Sequence, residues 1–102
     1  MKAIIKKVNK KPIIVETDDS FKLLNEVFKD RDFDCYQGYS HTKGFDIYVD
    51  DCGYGTLGLN FYTYSQALYG TAVFFGYDGK ENNISLNKSQ ISFIKKHFNQ
   101  KL

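Results

Sequence analysis

A run of ten residues, Leu68 to Tyr77, sets the strongest limit on the fold because nearly all of its members are apolar or aromatic. Such a run is typical of a strand that is covered on both faces, so it predicts a central strand of a sheet. Asp78-Gly79 follows directly, and this dipeptide favours a hairpin turn. We therefore expect the chain to fold around a sheet with this strand inside it.

Further strands are predicted on both sides of this run. Apolar and β-branched runs flank the turn residues 9–12 and predict an N-terminal hairpin. The segment Phe45–Asp50 alternates, with Phe45, Ile47 and Val49 on one face. Shorter strands are predicted near residues 33–36, 57–62 and 82–86. The last of these is expected to be an exposed edge, which leaves a sheet-mediated homodimer open.

Two segments have helical spacing. A first helix follows the cap candidates Asp18-Asp19-Ser20 and should end near Lys29 or Asp30. A second follows Asn87, and Gln90 lies three residues on as a capping-box partner. The apolar faces of these helices are formed by Phe21, Leu24 and Phe28 in the first, and by Ile91, Ile94 and Phe98 in the second.

The order ββαβββα predicts one α+β domain over residues 1–102, with two helices packed on a sheet of four to six strands that is antiparallel or mixed. A length of 102 residues favours a single domain. No apolar run reaches the roughly 18 residues of a membrane span, and the N-terminal apolar stretch is too short for a signal peptide. We therefore expect a cytoplasmic protein, located in the host cell, without a membrane partner.

The charged residues are distributed unevenly along the chain. Residues 1–11 carry five lysines and no acid, and residues 80–102 carry five lysines and one acid. Residues 12–79 carry eleven acids against four basic residues, so the net charge of +2 conceals two basic ends and an acidic middle. Solvated strand edges and helix faces are one explanation for the lysines.

The acidic middle is also rich in aromatic residues, since thirteen of the seventeen aromatic side chains lie within residues 33–77. If the apolar face of Phe45–Asp50 points inward, Tyr48 points outward with Asp46 and Asp50. Exposed tyrosines are enriched in protein interfaces. We predict a protein-binding face formed by Tyr48, Tyr54, Tyr62, Asp46, Asp50 and Asp51. The alternative that these tyrosines only cover a small sheet stays open.

The basic ends support a different hypothesis, a nucleic-acid-binding accessory protein in DNA transfer or replication. Lysines that lie near a phosphate backbone provide sequence-independent affinity. The candidate residues are Lys2, Lys6, Lys7, Lys10, Lys11, Lys95 and Lys96. They form one surface only if the two ends of the chain lie side by side.

No pattern in the sequence identifies a catalytic, cofactor or metal site. Gly53-Tyr54-Gly55-Thr56-Leu57-Gly58 matches the dinucleotide fingerprint, but the residues that follow have no helical stripe to hold a pyrophosphate. Cys35 and Cys52 are too few for a thiolate zinc site, and the acids near residue 50 lack a calcium-loop pattern. His41 and His97 have no ligand spacing. We therefore expect a protein that is not an enzyme and has no cofactor.

Several short motifs resemble a known family. They are Met1-Lys2-Ala3-Ile4-Ile5, Pro12-Ile13-Ile14-Val15-Glu16, the helix after Ser20, Leu57-Gly58-Leu59-Asn60, Gly70-Thr71-Ala72-Val73, and Ser85-Leu86 before the last helix. With these motifs the chain resembles a family of short uncharacterised phage- and plasmid-encoded proteins, defined as a domain of unknown function. Residues 33–56 depart from the pattern. The resemblance implies a mobile-element setting, in which the expected partner is a host or defence protein.

Overall fold

The computed structural model describes residues 1–29, 31–53, 56–80 and 82–98. These residues form eight strands and two helices. In chain order they are β1 (Lys2–Lys6), β2 (Ile13–Glu16), α1 (Ser20–Phe28), β3 (Phe33–Tyr36), β4 (Phe45–Asp50), β5 (Leu59–Tyr62), β6 (Ala67–Tyr69), β7 (Ala72–Tyr77), β8 (Asn83–Ile84) and α2 (Lys88–His97).

Six of these strands form one antiparallel sheet in the order β2-β1-β7-β4-β3, with the short β8 paired to the end of β7. Phe74 in β7 lies opposite Ile4 on one side and Ile47 on the other. The prediction of an α+β fold around an antiparallel sheet, with the apolar run inside it, is therefore confirmed. The run is nevertheless two strands, because the chain turns at Gly70, where φ is +77°.

Each face of the large sheet has its own core. Helix α1 covers one face, and α2 together with the β5–β6 hairpin covers the other. The buried residues on the α1 side are Ala3, Leu24, Phe28, Val73 and Phe75. Those on the α2 side are Ile4, Tyr39, Phe45, Ile47, Phe61, Leu68, Ala72, Phe74, Leu86, Ile94 and Phe98. Alternate residues of β7 thus point into opposite cores.

The predicted caps are present at both helices. The Asp19 carboxylate accepts hydrogen bonds from the backbone N–H groups of Phe21 and Lys22, which fixes the start of α1. The Asn87–Gln90 capping box closes the first turn of α2. Both helices therefore begin where the side-chain acceptors in the sequence place them.

Gln90 also connects α2 to the loop that precedes β4. Its Nε2 donates hydrogen bonds to the carbonyl oxygens of Lys43 at 3.0 Å and Gly44 at 2.8 Å. Its Oε1 accepts the Asn87 N–H within the capping box. Among the described helices, none is long and apolar enough to cross a membrane.

Candidate functional site

The predicted acidic face of β4 is not a solvent-facing surface. Asp46 is 2% exposed and Asp50 is 8% exposed, so the expectation that both carboxylates point to solvent is wrong. The side of β4 opposite Phe45 and Ile47 is the side that α1 covers, where Tyr48 packs against the core of Val73 and Phe75. A sheet covered on both faces buries even the polar half of an alternating strand.

Each buried carboxylate has a partner. The Ser40 hydroxyl donates a hydrogen bond to Asp46 Oδ1. Asp50 Oδ2 lies 2.5 Å from Nε of Arg31, and Asp50 Oδ1 accepts the Cys52 N–H at 2.8 Å. These contacts compensate for the loss of water around the two carboxylates.

Tyr48 is half-buried rather than presented as a binding residue. Its hydroxyl donates a hydrogen bond of 2.9 Å to Asn83 Oδ1, and its ring packs edge-on against Phe33 and Phe75. Burial raises the pKa of Tyr48 to about 12, with Cys35 contributing to the shift. This tyrosine therefore remains protonated at neutral pH and supports the sheet.

The remaining members of the predicted face are Asp51, Tyr54 and Tyr62. Asp51 is exposed in the turn after β4. Tyr54 lies outside the described residues. Tyr62 belongs to the separate β5–β6 sheet, and its side chain is 59% exposed. Of the described members of the predicted face, Asp46, Tyr48 and Asp50 are packed into the sheet, whereas Asp51 and Tyr62 are exposed.

A different aromatic surface is present at the turn of the β5–β6 hairpin. We call it the aromatic tip and define it by Tyr62 and Tyr64, which are 59% and 66% exposed. The Tyr64 ring packs edge-on against the buried Tyr39, with 4.8 Å between the ring centroids. Because no charged residue occurs between Asp51 and Asp78, the hairpin that carries this surface is uncharged.

The turn that carries the aromatic tip is fixed by its own hydrogen bonds. Thr63 N–H donates to the Gln66 carbonyl at 2.8 Å, and the Thr63 hydroxyl accepts the N–H groups of Ser65 and Gln66. The Ser65 hydroxyl is also hydrogen-bonded to the Tyr36 hydroxyl on β3. The face predicted from the sequence includes Tyr62 but not Tyr64, although the polar Ser65-Gln66 pair marks a turn at this point.

The lysines that were predicted to bind nucleic acid also do not share one environment. Lys6 has no exposed surface, and its Nζ donates to Asn60 Oδ1 at 2.8 Å and to the Lys7 carbonyl at 2.9 Å. Burial lowers the pKa of this ammonium group. Including Lys6 among the phosphate-binding residues was therefore wrong, since a buried ammonium group cannot reach a nucleic-acid backbone.

The other lysines of the set are exposed and lie in three places. Lys2 begins β1, Lys7, Lys10 and Lys11 lie around the β1–β2 turn, and Lys95 and Lys96 are in the last turn of α2. The end of β1 and the end of α2 both contact β5. Lys6 is bonded to Asn60, and the next residue, Phe61, packs on Phe98 with ring centroids 4.6 Å apart.

The family model for the domain of unknown function DUF3846 matches residues 1–99. The chain belongs to this family. The resemblance drawn from the sequence motifs is therefore confirmed at the level of the family. No curated protein and no solved structure gives a significant match.

The described residues of this chain offer few groups for metal binding, nucleophilic catalysis or dinucleotide binding. No group of three or more His, Cys, Asp and Glu side chains in residues 1–29, 31–53, 56–80 and 82–98 could hold a metal ion. Burial and Asp46 raise the pKa of Cys35 to about 12, so its thiol is a poor nucleophile. Gly58 leads into β5 rather than a helix, and the glycine pattern thus lacks the helix N-terminus of a dinucleotide site.

Proposed function

We propose that the chain is a non-enzymatic binding protein that docks a protein partner through the aromatic tip. The observation that supports this proposal is the exposure of Tyr62 and Tyr64 at 59% and 66%. Most other aromatic side chains of the described residues are packed in the two cores. Two large aromatic side chains left at one turn are the kind of anchor that fills a pocket on a partner.

The surroundings of the aromatic tip favour a protein partner. The hydrogen bonds of Thr63 hold the turn in one conformation, so little conformational entropy is lost on binding. Tyrosine provides a large contact area with few rotatable bonds, and its hydroxyl can still find a polar partner. Because the hairpin is uncharged, no charged side chain of the hairpin has to lose its hydration when the contact forms.

The complementary surface would be an apolar cleft with a hydrogen-bond acceptor at its base for a phenolic hydroxyl. The mobile-element setting implied by the family resemblance would make the partner a host or defence protein in the cytoplasm of a host cell. Binding that occupies such a protein would make this chain an inhibitor. In this proposal the acidic residues of β4 support the fold and do not contact the partner.

A comparison of two matched surface variants tests the proposal. Tyr62→Ser with Tyr64→Ser removes the aromatic tip, whereas Phe21→Ser removes a ring that is 65% exposed on α1. We expect quantitative affinity capture from the source cell's extract to lose a partner with the first variant and keep it with the second. With that partner purified, the tip variant should bind at least tenfold more weakly. Equal capture of every partner by the unmodified chain and by both variants would refute the proposal.

Nucleic-acid binding is the second candidate, and the contacts of β5 favour it. Lys6 at the end of β1 and Phe98 at the end of α2 both contact β5, so we propose that Lys7, Lys10 and Lys11 form one basic surface with Lys95 and Lys96. Such a surface should give an affinity that falls steeply with salt. A gel shift with duplex and single-stranded DNA at low salt tests it, with Lys2→Ala as the control for a distant exposed lysine. Absence of any shift would eliminate this candidate.

A further inference from the structure

We infer that two copies of this chain associate through strand β2, paired antiparallel to form one continuous sheet across the dimer. β2 is the last strand of the large sheet, and no described strand lies on its outer side. The inference concerns a surface distant in the fold from the aromatic tip and does not depend on the proposed function. It follows from four properties of this edge.

The backbone of β2 leaves hydrogen-bonding groups free on its outer side. Met1 and Thr17 exchange backbone hydrogen bonds at the end of the β1–β2 ladder. Bonded pairs alternate along an antiparallel ladder, so Val15 and Ile13 also bond to β1. The N–H and C=O groups of Ile14 and Glu16 therefore point away from the sheet, where they can pair with another strand.

The side chains of β2 are apolar on both faces of the sheet. Ile13 is 55% exposed and Ile14 is 40% exposed, and they point to opposite faces of the strand. Val15 packs partly against the core under α1. Apart from Glu16 at its last position, this edge strand exposes isoleucine on both faces and carries none of the charged side chains that commonly keep edges apart.

The charges at the two ends of β2 are complementary in an antiparallel pair. Lys10 and Lys11 precede the strand, whereas Glu16 and Asp18 lie at its end, and all four are exposed. When two copies run antiparallel, the lysines of each copy lie beside the carboxylates of the other. A parallel pair would instead bring like charges together.

The other edges of the sheet are less suited to the same contact. On β3, Asp32 accepts the Asp51 N–H, so the N–H of Cys35 points outward. The Asp34 carboxylate already accepts this N–H at 2.9 Å. Strand β8, near the edge predicted from the sequence, has only two residues. β2 is thus longer than β8, and no side chain of the described residues accepts its outward N–H groups in the way that Asp34 accepts that of Cys35 on β3.

For this pair we assign the register that places Ile14 opposite Ile14 of the second copy, with a two-fold axis perpendicular to the sheet. A two-fold axis in this orientation pairs side chains on the same face, so the two exposed isoleucines contact each other. Ile13 then lies opposite Val15. The Ile14 N–H donates to the Ile14 carbonyl of the other copy, and the Glu16 N–H donates to the Pro12 carbonyl. Pro12 has no N–H of its own, so this register leaves few groups unpaired.

Sedimentation velocity over a concentration series is the primary test. We expect a reversible monomer–dimer equilibrium, because the contact is small for a specific interface. Ile14→Glu and Ile14→Lys should each weaken the dimer at least tenfold, because like charges would face each other across the axis. An equimolar mixture of the two variants should regain the dimer. Ile84→Glu, at an isoleucine that is 43% exposed on β8, should leave the equilibrium unchanged.

Amide exchange of the unmodified chain provides a test that needs no variant to fold. The amides of Ile14 and Glu16 should become protected as concentration rises, whereas those of Ile13 and Val15 should be protected throughout. A monomer at every accessible concentration would overturn the inference. So would a dimer that persists in both single variants, or one whose charge-reversed mixture fails to recover.

Discussion

Lys6 Nζ donates a hydrogen bond of 2.8 Å to Asn60 Oδ1 at a place where neither side chain has exposed surface. The Asn60 amide nitrogen donates in turn to the carbonyl oxygens of Lys6 and Gly70, both at 2.7 Å. One asparagine therefore holds β5 against β1 and against the turn before β7. Among the described residues no carboxylate forms an ion pair with Lys6, so this amide is its main side-chain partner.

Replacing Asn60 with Leu should destabilise the fold by about 3 kcal/mol, because a buried ammonium group and two carbonyl groups lose their partner. Lys6→Met should cost about 1 kcal/mol, since it removes the buried charge and leaves neutral groups unpaired. Urea unfolding at neutral pH measures both values. A larger loss for Lys6→Met than for Asn60→Leu would contradict this account.

The lowered pKa of Lys6 gives the fold a specific dependence on pH. Burial lowers the pKa from its ordinary 10.5, so between the folded and unfolded values the unfolded chain binds more protons. The contribution of Lys6 to the free energy of unfolding should therefore rise with pH as 10.5 is approached. Urea unfolding should show that the free energy of unfolding of the unmodified chain, relative to that of Lys6→Met, increases as the pH rises. A difference that shrinks with pH would be evidence against it.

Tyr48 should act in the opposite direction at higher pH. Its pKa is raised from 10.0 to about 12, so the folded chain binds more protons in that interval and stability falls as pH rises through it. Tyr48→Phe should remove the part of the fall in stability at alkaline pH that is due to Tyr48. At neutral pH the same substitution should cost about 1 kcal/mol, because the hydrogen bond to Asn83 is lost. Phenolate absorbance and unfolding measured over the same pH range test this. Equal alkaline slopes in both proteins would rule it out.

The two cysteines should differ strongly in reactivity. The pKa of Cys35 is about 12 because the thiol is partly buried beside Asp46, whereas Cys52 is exposed. Since the thiolate is the reactive form, Cys35 should react with a disulfide reagent at pH 8 at least tenfold more slowly than Cys52. Cys35→Ala and Cys52→Ala each leave a single thiol whose rate can be read directly. Similar rates in the two variants would disprove the assignment.

Arg31 and Asp50 should be energetically coupled. The Asp50 side chain is 5% exposed and that of Arg31 is 54% exposed. Arg31→Ala should cost about 2 kcal/mol, because it leaves a buried carboxylate with little compensation. Adding Asp50→Asn should recover part of that loss, since a neutral amide needs no counter-charge. A double-mutant cycle by urea unfolding measures the coupling, and purely additive losses would show that the pair is independent.

The parts of the fold that were predicted correctly depend on neighbours in sequence. The run through Phe74 and Phe75 identified the central strand, and Asn87 with Gln90 fixed the start of α2. The burial of Asp46 could not be predicted in the same way. Alternation shows which residues of β4 share a face, but both faces are covered here, and the Ser40 and Arg31 partners come from other segments.

The site was predicted only in part for a similar reason. Lys6 resembles the other N-terminal lysines in sequence, and its partner Asn60 lies 54 residues away. The predicted face includes Tyr62 but not Tyr64, which lies beyond the end of β5, and β5 has an irregularity between Leu59 and Phe61 that changes its register against β6. Simple alternation along the strand therefore does not show which of its residues reach the surface.

Both polar atoms of the Gln90 side-chain amide form hydrogen bonds. The oxygen accepts a bond within the first turn of α2, and the nitrogen donates to the loop before β4. Local fraying of α2 would release the carbonyl groups of Lys43 and Gly44, and opening of that loop would free the first turn of the helix. Two segments that are 46 residues apart are thereby joined into one cooperative unit. In time-resolved exchange experiments they should open as a single event rather than as two.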